Sequence, residues 1–88
     1  MKFTEKCIKF PVDIGSRFAH QLAYKAMELK STPYIATLER NVKATSIIGL
    51  LSLNVHKDDV ILIQVVNDDE NQAKQDLDTF VRFIMGDE

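Results

Sequence analysis

The chain has 88 residues, enough for one small domain that buries only about 60 to 65 per cent of its unfolded surface. Its hydrophobic fraction of 45% excludes a disordered chain, and its net charge of −2 argues against a general nucleic-acid binder. No apolar run approaches the roughly 20 residues that cross a bilayer, and the start lacks the apolar core of a signal peptide. We therefore expect a single cytoplasmic domain, 1–88, without direct nucleic-acid or membrane contact.

The first part of the chain predicts a strand and a helix. Residues 2–10 alternate loosely as a strand, and Pro11 ends it because proline has no amide for a ladder. Ser16 is expected to cap a helix that runs to about Leu29. The residues that share its buried stripe are Phe18, Ala19, Leu22, Ala23, Ala26 and Leu29.

A hairpin and a short apolar element are expected next. Residues 31–33 should end the helix, and two strands should follow at 34–40 and 41–43. Residues 46–53 predict a short helix, because hydroxyl side chains stand at its start. A strand is the competing interpretation of this segment, since the run is apolar and contains Gly49.

A helix of so few turns cannot hide every apolar side chain of this segment. Ile47, Leu50 and Leu51 share one stripe, whereas Ile48 falls off it. Some of this apolar surface is therefore expected to face a partner, with Ser46 at its rim.

The last part of the chain predicts a buried strand and a second long helix. The β-branched run 60–66 is typical of a strand, and the acidic residues 68–70 favour the start of a helix. Gly86 should end this helix, whose apolar face consists of Ala73, Leu77, Phe80, Val81 and Ile84. The order β-α-β-β-α-β-α predicts an α+β fold, a four-stranded antiparallel sheet with three helices on one face.

The cysteine and histidines predict no metal site. Cys7 is the only cysteine, and we expect a half-buried strand residue rather than a reactive thiol. His20 and His56 are far apart in the chain and no ligand cluster joins them, so we expect neither a metal nor another cofactor.

Two blocks of sequence are similar to a known family. Residues 46–53, Ser-Ile-Ile-Gly-Leu-Leu-Ser-Leu, resemble its regulatory-serine segment. Residues 14–19, Ile-Gly-Ser-Arg-Phe-Ala, resemble its active-site segment, which reads Ile-His-Ala-Arg-Pro-Ala. Asp69 and Glu70 also match. Together with the element order, these residues resemble HPr, the histidine-containing phosphocarrier family of the bacterial sugar phosphotransferase system, over nearly the whole chain.

The resemblance implies that phosphocarrier chemistry is lost. Gly15 stands where the family has the histidine that accepts the phosphoryl group, and Phe18 stands where it has proline, while Arg17 remains. Glycine has no side chain to form the intermediate, so we expect no catalytic residue and no enzymatic activity. His20 lies one turn inside the helix, where it would miss the end amides, and we interpret it as a surface histidine.

Three glycines of the family are replaced here. Their positions hold Asn54, Asp58 and Asn67, and asparagine and aspartate best tolerate a positive φ. The resemblance therefore implies that the backbone is kept at all three positions.

Ser46 matches the serine that an ATP-dependent kinase phosphorylates in the Gram-positive branch of the family. A phosphate there would lie at a helix N-terminus, where negative charge is favoured. The family usually has a lysine just before this serine, and here it is Thr45. The alternative is that Ser46 is only a helix cap.

Helical geometry adds a second clue. At about 100° per residue, four residues of the first helix fall together, away from its buried stripe. They are Arg17, His20, Tyr24 and Met27. Such side chains on an exposed face are typical of interfaces, and the family uses this face together with the regulatory-serine helix, here Ile47, Ile48 and Leu51. The alternative is that Tyr24 and Met27 only flank the core.

These patterns favour a regulatory HPr-like protein that resembles the catabolite-repression type. Its expected partners are an HPr-type serine kinase and a transcription regulator or metabolic enzyme. One alternative is an unphosphorylated interaction module that binds a fixed partner or itself. A phosphocarrier using His20 and an unrelated α+β domain are the remaining alternatives.

Overall fold

The computed structural model describes residues 2–86, so the ends of the predicted domain 1–88 lie outside the described residues. The elements follow the predicted order and are β1 (Lys2–Lys9), α1 (Ser16–Glu28), β2 (Thr32–Ala36), β3 (Asn41–Lys43), α2 (Ile47–Ser52), β4 (Val60–Asn67) and α3 (Glu70–Met85). The strands form one antiparallel sheet in the order β1-β4-β2-β3, which confirms the predicted fold class.

The core lies between one face of this sheet and the helices. Ile61, Ile63 and Val65 alternate along β4 and are at most 2% exposed. The helix residues that cover them include the predicted stripes of α1 and α3, namely Ala19, Leu22, Ala23, Ala26, Ala73, Leu77, Phe80 and Ile84. The intervening strand residues point to the opposite face, which no helix of residues 2–86 covers. None of these helices is long and apolar enough to cross a membrane.

Helix α1 begins one residue earlier than predicted. Gly15, not Ser16, is the N-cap, because its extended backbone leaves its carbonyl free to accept from the Ala19 amide at 2.9 Å. The expected cap by the Ser16 side chain is therefore wrong, and this helix start has no side-chain cap.

The first strand of the hairpin also differs from the prediction of 34–40. β2 begins at Thr32 and includes the buried Pro33, whose carbonyl accepts from the Ala44 amide at 2.9 Å. The strand ends at Ala36, because the Thr37 hydroxyl then accepts from the amides of residues 39 and 40 and closes a turn.

The segment after the hairpin is a helix, so the strand interpretation is wrong. The Ser46 hydroxyl accepts from the Gly49 amide at 3.0 Å and caps α2, as its residue type predicts. A side chain at residue 49 would begin 3.0 Å from the Ser46 hydroxyl oxygen and 3.1 Å from Cβ of Val42. Glycine is therefore favoured here by the close approach of its neighbours rather than by its backbone angles.

Two of the three expected left-handed residues are confirmed. Asn54 has φ 55° and Asp58 has φ 76°. Asn67 does not have a positive φ; it is the last residue of β4. Its side chain has a different role, donating to the Ser31 hydroxyl at 2.9 Å and accepting from the Asp69 amide at 2.9 Å.

Cys7 is exposed, so the expectation of a half-buried residue is wrong. The register places it opposite Leu62 on the uncovered face, whereas its neighbour Ile8 faces the helices and is buried. A strand at the edge of a one-sided sheet leaves such a residue in solvent.

Candidate partner-binding surface

Helix α1 presents a row of exposed side chains on the side away from its buried stripe. Arg17 and His20 are exposed, and Tyr24 and Met27 are 64% and 58% exposed. The predicted exposure of all four residues is confirmed. Long apolar and aromatic groups held this far into solvent are available for contact with another molecule.

Helix α2 divides its apolar residues between the core and solvent. Leu50 is fully buried and Ile47 is half-buried against the core. Ile48 is 83% exposed and Leu51 is 42% exposed. The predicted stripe therefore covers the core with Leu50 and Ile47, while Leu51 lies at its edge.

The two helices contact each other on the covered side of the sheet. We call their exposed surface the α1–α2 face, formed by Arg17, His20, Tyr24, Met27, Ile47, Ile48 and Leu51. The sequence-predicted residues thus lie on two packed helices and not on opposite sides of the sheet.

Ser46 lies at the head of α2 and is exposed. Its backbone is held on both sides, since its amide donates to the Lys43 carbonyl at 3.0 Å and its carbonyl accepts from the Leu50 amide at 2.9 Å. Its hydroxyl oxygen accepts one hydrogen bond, from Gly49, and is otherwise open to solvent. A fixed backbone with an accessible hydroxyl suits modification of this side chain without refolding.

The start of α1 is open at Gly15. No described atom outside residues 14–16 lies within 4 Å of the place where a Cβ would stand. The nearest histidine in sequence, His20, donates from its Nδ1 to the Ser16 carbonyl at 2.8 Å. That nitrogen therefore carries a proton in the neutral ring and cannot act as a nucleophile, while Nε2 holds the lone pair.

His56 does not join this surface. It lies in the turn before β4, where its amide donates to the Asp59 carboxylate at 2.8 Å and its Nδ1 lies 3.9 Å from the same oxygen. Within residues 2–86, no group of three potential metal ligands comes together.

A groove between α1 and α3 extends the surface in a way that the sequence did not suggest. It has a volume of about 620 Å³ and is lined by Phe18, Gln21, Tyr24, Lys25, Glu28 and Phe83. The Lys25 ammonium lies 5.6 Å from the centre of the Phe83 ring. Phe83 does not belong to the apolar stripe of α3 in the sequence. This position off the stripe could have indicated that the aromatic ring is partly exposed.

This architecture is that of the HPr open-faced sandwich. The HPr-C-His protein of Thermoanaerobacter tengcongensis is 27% identical, with a TM-score of 0.70, over 100% of this chain and 99% of that chain. The phosphocarrier protein HPr of Bacillus anthracis is 21% identical, with a TM-score of 0.74, over 89% and 95%. Crh, a catabolite repression protein of Bacillus subtilis, is 24% identical, with a TM-score of 0.65, over 86% and 87%.

The family itself follows from the sequence match. The protein-family model described as "PTS HPr component phosphorylation site" matches residues 4–82. The comparison with curated proteins found no match. The chain therefore belongs to the HPr family of the phosphotransferase system, a family named after the phosphocarrier protein HPr.

Proposed function

We propose that this protein is a regulatory HPr-like protein that acts by binding other proteins through the α1–α2 face, under the control of phosphorylation at Ser46. The observation that carries the proposal is the exposed Ser46 hydroxyl at the head of a helix that also exposes Ile48 and Leu51. Its proposed setting is carbon catabolite control in the cytoplasm, the kind of role for which its structural neighbour Crh is described.

The same proposal excludes phosphocarrier activity. Gly15 occupies the position of the family's phosphoryl-accepting histidine, and it has no side chain to accept the group. His20 is not proposed to replace it, because it lies one turn inside α1, away from the helix-end amides that would hold a phosphate, and its Nδ1 donates to the Ser16 carbonyl.

Phosphorylation would act through charge. A phosphoserine adds about −1.5 to −2 charge at neutral pH, so the net charge would change from −2 to roughly −4. The new charge would stand beside the exposed apolar residues of α2, where arginine or lysine of a partner could pair with it. The proposed partners are a serine kinase of the HPr type and a transcription regulator or metabolic enzyme that binds the modified protein.

The deciding experiment is incubation with an HPr-type serine kinase and ATP, followed by mass spectrometry. We expect one phosphate on Ser46 and none in Ser46→Ala. Ser52→Ala is the matched control, because Ser52 is an exposed serine at the other end of the same helix. An unmodified Ser46 in the wild-type protein would contradict the proposal.

A second candidate is an interaction module that needs no phosphate. The observation that favours it is the exposure of Tyr24 and Ile48, at 64% and 83%, in the unmodified chain. An affinity pull-down with wild type, Tyr24→Ala and Leu51→Glu tests this face directly. Retention of every partner by both variants would show that the α1–α2 face is not the binding surface.

The remaining alternative, a phosphocarrier using His20, has its own test. It requires labelling of the protein by phosphoenolpyruvate and the first enzyme of the phosphotransferase system. We expect no label on wild type, and a label lost in His20→Ala would overturn our exclusion of phosphocarrier activity.

A further inference from the structure

The uncovered face of the sheet, which we call the open face, carries a second exposed apolar surface. Phe3 on β1 and Val60 on β4 are 61% and 67% exposed. Between the edges lie the half-buried side chains of Tyr34, Leu62 and Val66. This surface lies on the side of the sheet opposite the helices, so it is distinct from the α1–α2 face.

One polar row crosses the open face from edge to edge. Glu5 pairs with Gln64, which pairs with Tyr34, which pairs with Lys43. The Gln64 amide donates to the Glu5 carboxylate at 2.8 Å and accepts from the Asn41 side chain at 3.1 Å. The row therefore has a negative charge at the β1 edge and a positive charge at the β3 edge.

This arrangement of charge is complementary to itself. A two-fold axis that lies between two stacked sheets and runs along the strands places β1 of one copy over β3 of the other. Glu5 of each copy then faces Lys43 of the other copy, at two equivalent places. The alternative axis, at right angles to the strands, places Glu5 over Glu5 and Lys43 over Lys43, and like charges in contact are unfavourable.

The same axis also determines which inner strands of the two copies face each other. It places β4 of one copy over β2 of the other, so Leu62 faces Ala36 and Gln64 faces Tyr34. Two sheets that pack in this aligned way lie about 10 Å apart and differ in strand direction by about 30°.

We propose that a second copy of this chain covers the open face, in a two-fold dimer held by the apolar side chains and by the two Glu5–Lys43 pairs. The open face measures roughly 20 by 17 Å, from four strands about 4.8 Å apart. This is less than the roughly 800 Å² per partner of a standard interface, so we expect a weak dimer that exchanges rapidly.

Charge reversal tests the proposal. Self-association of wild type, Glu5→Lys, Lys43→Glu and the double variant is measured by sedimentation and by NMR shifts between about 20 µM and about 2 mM. We expect each single variant to dimerise about tenfold more weakly, because two contacts become repulsive, and the double variant to return to within about twofold of wild type. Lys57→Glu is the matched control, since Lys57 is exposed in the turn before β4 and carries the same charge.

Several results would overturn the proposal. A wild type that is monomeric at the highest concentration excludes the dimer, and single variants that associate as well as wild type exclude these charge pairs. Loss of association in Tyr24→Ala or Leu51→Glu would show that the two copies contact each other through the α1–α2 face instead. A dimer that exchanges slowly and associates equally well in all charge variants would indicate that β1 is swapped between the two copies instead.

Discussion

At the scale of single residues, the contact between Ser46 and Gly49 decides how α2 begins. The serine hydroxyl satisfies the amide of residue 49, and this brings the two residues so close that a methyl group at position 49 would begin 3.0 Å from the hydroxyl oxygen. One of the three nearest atoms is Cβ of Val42, which is bonded directly to the backbone and cannot rotate away. The short helix is therefore docked on β3 through this glycine.

We expect Gly49→Ala to lower the free energy of unfolding by about 1 kcal/mol, since the strain of an overpacked contact exceeds the gain in helix propensity. Urea unfolding followed by circular dichroism measures this change. The double variant Ser46→Ala/Gly49→Ala is compared with Ser46→Ala, and alanine at 49 should cost less in that background, because the hydroxyl oxygen 3.0 Å from the added methyl group is then absent. A Gly49→Ala protein more stable than wild type would contradict this account.

At the scale of elements, the two long helices begin in different ways. The Asp69 carboxylate caps α3 by accepting from the amides of Asn71 and Gln72 at 3.0 and 3.2 Å. Helix α1 starts at Gly15 with no side-chain cap. No side chain therefore accepts a hydrogen bond from the first amides of α1, unlike those of α3. The space at Gly15 is open and could hold a capping side chain.

We expect Gly15→Asp to raise the free energy of unfolding by about 0.5 to 1 kcal/mol, because a carboxylate there both caps the helix and complements its dipole. Gly15→Asn is the matched control, since it supplies the cap without the charge and should give a smaller gain. Thermal unfolding at low and high salt separates the two effects. An aspartate variant no more stable than wild type at low salt would show that this helix start is already satisfied.

At the scale of the whole molecule, Phe10 joins the two halves of the chain. It is fully buried, its ring packs edge-on against Phe18 at 6.2 Å, and its backbone bonds to Asp58 and Asp59 at 2.8 Å. The end of β1, the start of α1 and the turn before β4 therefore meet at one residue.

We expect Phe10→Leu to cost about 1 to 3 kcal/mol, and Phe18→Leu to cost less because Phe18 is only half-buried. Unfolding in urea should remain a single transition when followed by circular dichroism and by the NMR signals of α3, since small domains unfold cooperatively. Equal losses for the two variants, or separate transitions for the two probes, would show that Phe10 does not link the whole fold.

Local signals account for most of what the sequence predicted about this protein. Periodicity located the helices and the outward row of α1, and residue type predicted the Ser46 cap. These features depend on atoms within about one turn of chain, so neighbouring residues determine them. The element order also followed from these local patterns, whereas the function of the surface residues stays a prediction. The left-handed Asn54 and Asp58 were expected because the resemblance places glycines of the family at these positions.

Only the tertiary structure decided the features that depend on residues far apart in the chain. The Asn67 side chain donates a hydrogen bond to the hydroxyl of Ser31, a residue 36 positions earlier in the chain. Asn67 takes a strand conformation instead of a positive φ. Asp76 is buried with one carboxylate oxygen that has no hydrogen-bond partner among the described residues. Pairing of β1 with β4 places Glu5 in one row with Lys43, because strand register brings together residues that sequence proximity does not.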